Sequence, residues 1–222
     1  MGEEKQTAFA GNQKTGEWFL AKIEKKFVQT YVSKVPRCLE TYHLTLMTVL
    51  WSALILVFSY LAGKNLHWLW LVSFMIVMQY ITDVFDGAVG RIRDTGLIKW
   101  GYYMDHFLDY VFMSSILIGW AFILPEHCRM SLFFIFALSG AFMVNAFLTF
   151  SVTNEFNIGY FNLGPTEMRI IFVIVNMLII FFGTRFLELT LPYILAVLMT
   201  ALIVTVYKAH KLVWKIDMDN KK

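Results

Sequence analysis

Four aspartates crowd one short stretch of the chain: Asp83, Asp86, Asp105 and Asp109. Asp83, Asp86, Gly87 and Gly90 fall at offsets 0, 3, 4 and 7, so a helix would carry them on one face. Gly101, Asp105 and Asp109 fall at 0, 4 and 8, again one face. If the two faces meet, four carboxylates converge. Four anions in contact repel one another, and a divalent cation relieves this. All-oxygen ligation without Cys or His favours Mg²⁺, Mn²⁺ or Ca²⁺ over zinc. The glycines would let a ligand or a neighbouring backbone approach closely, or would serve small-residue helix packing. Arg91 is the nearest cation, positioned for a phosphate, for Asp94 or for a lipid headgroup layer.

The composition says where these faces sit. Of 222 residues, 58% are hydrophobic and only 16% are charged, which excludes a disordered chain and argues against a soluble one. Six stretches approach the ~20 apolar residues that a spanning helix needs: 44–61, 66–82, 102–125, 131–152, 170–184 and 189–207. Arg169 and Arg185 bracket the short fifth stretch, with stems long enough to snorkel to the interfaces. The expected class is an all-α integral membrane protein with six transmembrane helices. It forms one domain: an N-terminal segment over 1–43, a core over 44–207 and a tail over 208–222.

Six spans place both termini on one side. Of the 19 Lys and Arg residues, 16 then share that side, and Lys64, Arg129 and Arg185 lie on the other. The positive-inside rule makes the termini and the aspartates cytoplasmic. The net charge of +3 is therefore a matter of topology, with no nucleic-acid partner implied. The first residues, acidic and polar with no apolar run, do not read as a secretory signal. Cys38 and Cys128 fall on opposite sides and cannot pair. Within 17–32, Phe19, Ile23, Phe27 and Tyr31 recur every fourth residue while Lys22, Lys25 and Lys26 take other faces. That pattern predicts an amphipathic helix in the headgroup layer, in contact with membrane lipids.

The acidic segment resembles the CDP-alcohol phosphotransferase family, whose pattern is D-x2-D-G-x2-A-R-x(8–9)-G-x3-D-x3-D. Here it reads Asp83-x2-Asp86-Gly87-x2-Gly90-Arg91, nine residues, then Gly101-x3-Asp105-x3-Asp109, with Gly90 in place of the usual Ala. The resemblance implies transfer of a phosphoalcohol unit from a CDP-linked donor to an alcohol or lipid acceptor, in phospholipid synthesis, with release of CMP. It also implies Mg²⁺ or Mn²⁺, two ions, held by Asp83, Asp86, Asp105 and Asp109. Asp109 would be the catalytic base. Asp83, Gly87, Gly90, Arg91 and Gly101 would lie against the CDP moiety, and the protein would be a homodimer.

Gly164-Pro165-Thr166-Glu167 is similar to a segment of choline and ethanolamine phosphotransferases, in which Glu155, Tyr160 and Phe161 would have acidic and aromatic counterparts. It makes Glu167 and Arg169 candidates for acceptor or head-group contact, against a plain helix start at Pro165 with Glu167 facing the helix N-terminus. Asn145 and Asn176 read as interhelical hydrogen-bonding residues, and His106 stands one step off the acidic face. The final span has no Lys or Arg before Lys208, which argues against a phosphorylated polyol acceptor. The competing reading is a divalent-cation or proton-coupled transporter. Such a site belongs at the bilayer midplane, whereas these aspartates end one span and open the next.

Overall fold

A computed structural model of the chain describes residues 20–153, 164–219 and 221. Every regular element among the described residues is helical: α1 (Ala21–Tyr31), α2 (Thr41–Ala62), α3 (Leu69–Arg93), α4 (Ile98–Ala121), α5 (Arg129–Thr153), α6 (Pro165–Phe182) and α7 (Arg185–Asp219). Short 3-10 turns precede α3 and α5 and follow α1. Residues 17–19, Glu155, Tyr160 and Phe161 lie outside the described residues.

Each apolar stretch falls within or largely within a helix, and five of these helical segments are long and apolar enough to cross a membrane: Thr41–Ala62, Leu66–Arg93, Glu126–Thr153, Pro165–Phe182 and Arg185–Asp219. α4 is long enough at 24 residues but is not among the five. Asp105, His106 and Asp109 in its first half dilute its apolar character. Among the six long helices, the one that carries half of the acidic motif thus falls short of that mark.

α2 packs against both α3 and α4, α3 against α6, and α5 against α7. The main core gathers Ile55, Leu69, Ile76, Ile116, Trp120 and Ile179 from α2, α3, α4 and α6. Gly119 lets α4 come into contact with Ser59 of α2, where a Cβ would find no room. Asn176 is fully buried. It accepts from Trp120 Nε1 at 2.9 Å and donates to Ser73 Oγ at 3.2 Å, joining α6 to α4 and α3 as the sequence suggests.

A smaller cluster lies at the other end of α3. Val28 of α1 and Leu44 of α2 pack there on Phe85, Ala88 and Val89. Phe27 contacts Phe85 with ring centroids 5.6 Å apart, while Ile23, Phe27 and Tyr31 keep much of their surface exposed. Arg93 fastens the segment between α1 and α2: Nη1 donates to Leu39 O at 2.6 Å, and Nη2 to Val35 O at 3.0 Å and Pro36 O at 3.2 Å. α7 runs on as one helix for 35 residues, well past the end of its apolar stretch. Both cysteines are free, Cys38 exposed and Cys128 buried.

Candidate active site

α3 does not stop at the start of the acidic stretch but carries it, running through Arg93. Asp94, in the left-handed region at φ 50°, ends the helix, with Thr95 N donating to Gly90 O. Gly96, at φ 68°, completes the reversal, and α4 starts at Ile98. Asp83 lies ten residues before the end of α3 and Asp109 eleven after the start of α4. At ~1.5 Å per residue both stand about 15 Å from the turn, so the short connection brings them level.

The structure joins three of the four aspartates. Carboxylate oxygens of Asp83, Asp105 and Asp109 all lie within 4.8 Å of one another. Asp86 is not in this group. It sits 60° round the helix from Asp83 and faces α2, where Thr45 Oγ1 donates to its Oδ2 at 2.9 Å and Thr41 Oγ1 to its backbone carbonyl at 3.2 Å. Convergence of all four carboxylates therefore gives way to three, with the fourth held behind them.

Arg169 alters the electrostatics that the sequence suggested. It does not snorkel to an interface and is not a topological charge. It is 6% exposed. Its Nη2 donates to Asp83 Oδ2 at 2.8 Å and to Asp109 Oδ1 at 3.2 Å, and its Nε donates to Gln79 Oε1 at 2.7 Å. The guanidinium carbon stands over the rings of Tyr80 and Phe112, at 5.9 and 5.7 Å from their centroids. Sequence reasoning placed Arg169 near a head group and missed this pairing. The available signal was a cation at the edge of the one apolar stretch too short to span comfortably.

The glycines divide. Among the described residues, a Cβ at Gly101 would meet nothing within 4 Å, and one at Gly87 only Arg91 Nη1 at 3.5 Å. These two border open space on the acidic face, beside an exposed Arg91. Gly90 is a packing glycine, since a Cβ there would come within 2.9 Å of Thr41 Oγ1. Glu167 caps α6, which begins at Pro165: its Oε2 accepts from Gly164 N at 3.0 Å. Its Oε1 accepts from Leu20 N at 3.0 Å, and Thr166 Oγ1 donates to Glu24, so the start of α6 also anchors α1. His106 Nδ1 bonds Tyr102 O at 2.7 Å and stands 3.8 Å from Asp105 Oδ2, outside the carboxylate group.

The donor set is three carboxylates with no sulfur and no imidazole, which fits a hard divalent cation. The carboxylates of Asp83 and Asp109 stand well inside α3 and α4, about 15 Å from the connecting turn, and glycine backbone borders them; charges so placed in apolar helices are usually functional. Residues 41–207 match the model of the CDP-alcohol phosphatidyltransferase family, and the chain belongs to that family. Its members transfer phosphatidyl groups from CDP-alcohols and generally use divalent metal ions. Comparison with curated proteins and with solved structures gave no match. Nothing in the structure or the comparisons favours the transporter reading.

Proposed function

We propose that this chain is a CDP-alcohol phosphotransferase of glycerophospholipid synthesis that uses the Asp83–Asp105–Asp109 group as its reaction centre. The observation that carries the reading is the convergence of three motif carboxylates within 4.8 Å in a chain of this family. The acceptor oxygen bonds to the donor phosphorus that bears the alcohol unit. The bond from that phosphorus to the bridging oxygen breaks, and CMP leaves with the electron pair.

Asp109 takes the acceptor proton. Its side chain is 31% exposed, against 18% for Asp83 and 22% for Asp105, so it is the carboxylate most open to an arriving hydroxyl. Asp83, Asp105 and Asp109 would hold the divalent ions, with Asp86 behind them on Thr45. Bound ions would supply the positive charge that neutralises the diphosphate and the departing CMP. Gly87 and Gly101 leave room for the CDP moiety, and Arg91 offers it a cation. Both oxygens of Glu167 are engaged by backbone N–H groups, which supports a structural role over head-group contact.

α4 completes six spans: it packs against α2 and α5, and its aspartates gather with Asp83 of α3. α1 lies in the headgroup layer with Ile23 and Phe27 toward the acyl chains and its lysines toward anionic lipid. The termini and the site face the cytoplasm, now on 15 cations because Arg169 is buried in the site. The whole chain acts as one membrane domain and as a homodimer. Two substrate pairs fit: CDP-diacylglycerol with a small polar alcohol, or CDP-choline or CDP-ethanolamine with diacylglycerol. A radiolabel transfer assay on purified protein, each donor against each acceptor, separates them. No CMP release with any pair would overturn the reading.

A further inference from the structure

We propose that Arg169 is a resident counter-cation of the carboxylate site: it holds Asp83 and Asp109 together before any divalent ion arrives, and it sets how tightly the site takes one. This rests on the metal-dependent reading above. Three carboxylates within 4.8 Å of one another repel strongly in the low dielectric of a helical bundle. A single guanidinium nitrogen donates to two of them, at 2.8 and 3.2 Å. The rest of the side chain is fixed to stay there. Gln79, fully buried, gives its Oε1 to Arg169 Nε while its own Nε2 finds no partner among the described residues. A buried amide left half-satisfied is costly, and holding the guanidinium is the one task in view that accounts for it. The rings of Tyr80 and Phe112, both within about 6 Å of the guanidinium carbon, add cation–π contacts.

The arrangement has two consequences of opposite sign. Without Arg169 the metal-free protein contains uncompensated carboxylates and loses stability. With the like charge gone, the same site draws a divalent cation more strongly. A merely structural residue would weaken both properties. A residue serving only a substrate phosphate would change neither.

The test uses the full chain in detergent, stripped of metal at pH 8, as wild type, Arg169→Met and Arg169→Lys. Thermal unfolding is followed with and without Mg²⁺, and Mn²⁺ binding is measured by the electron paramagnetic resonance of the free ion. Arg169→Met should melt below wild type without metal and gain more from Mg²⁺. It should bind Mn²⁺ at least ~10-fold more tightly. Arg169→Lys, which keeps the charge, should stay within about threefold of wild-type affinity. Unchanged or weaker Mn²⁺ binding by Arg169→Met overturns the proposal. So does failure of that variant to fold even when prepared in Mg²⁺, because the ion should replace the guanidinium. No Mn²⁺ binding by wild type would instead overturn the metal-dependent reading itself.

Discussion

Gly101→Ala separates what the fold needs from what the ligand needs. A Cβ at Gly101 meets no heavy atom of the described residues within 4 Å, so among them the substitution costs nothing in packing. Gly101 N makes one of the first backbone bonds of α4, to Leu97 O at 2.8 Å, and there alanine is the better helix former. The gain is up to ~1 kcal/mol in a helix interior and about half that in a first turn. For a chain of this size half a kcal/mol raises the melting temperature by roughly 1–2 °C. If the open space holds the CDP moiety, the new methyl crowds it. Overpacking typically costs about 1–3 kcal/mol, which raises the donor KM by roughly 5- to 160-fold. Stability should therefore rise while donor affinity falls.

Gly90→Ala is the internal control. Its Cβ meets Thr41 Oγ1 at 2.9 Å, and relief of that contact sacrifices the Thr41 bond to Asp86 O. About 1 kcal/mol is lost, cancelling the propensity gain. Both variants are measured by thermal unfolding in detergent and by initial rates against donor concentration at saturating Mg²⁺. A Gly101→Ala protein that is less stable than wild type, or equally active at low donor, refutes the reasoning.

Three further outcomes are expected. Activity should vanish in excess EDTA and return with Mg²⁺ or Mn²⁺; full activity in the chelator would remove the role assigned to the carboxylate group. Asp83→Asn should lose donor binding and turnover together, whereas Asp109→Asn should lose about 10²–10⁴ in rate yet still bind donor with metal. Calorimetric titration of both variants decides, and equal loss of binding would unseat Asp109 as the base. In a Cys38→Ser background, Thr95→Cys should react with an impermeant thiol reagent from the cytoplasmic side alone; labelling from the other side would invert the topology.

The periodic features of the sequence carried over well. Apolar runs became helices, and offsets of 4 and 8 from Gly101 put Asp105 and Asp109 on one surface of α4, because both depend on local geometry alone. Pro165 and Glu167 marked a helix start for the same reason. What the sequence hid was set by distant partners. Asp86 stands outside the group of three and takes a hydroxyl from Thr45, 41 residues earlier. Arg169 stands at the boundary of an apolar run, where cations usually mark an interface. Only the packing of α6 on α3 shows that it points inward to Asp83, 86 residues away. α4 fell short as a span on composition because the residues that reduce its hydropathy are those that the site uses.

The length of α7 has a practical side. Thirty-five residues at ~1.5 Å each make a rod of about 52 Å, against a hydrocarbon layer of ~30 Å. The surplus carries Lys208, Lys211 and Lys215 well clear of the apolar stretch without a break in the helix. A partner helix grafted in register after Asp219 would inherit that axis instead of swinging on a linker. A membrane protein this small offers single-particle imaging little to align on, and α7 is a built-in mast for a rigid fiducial.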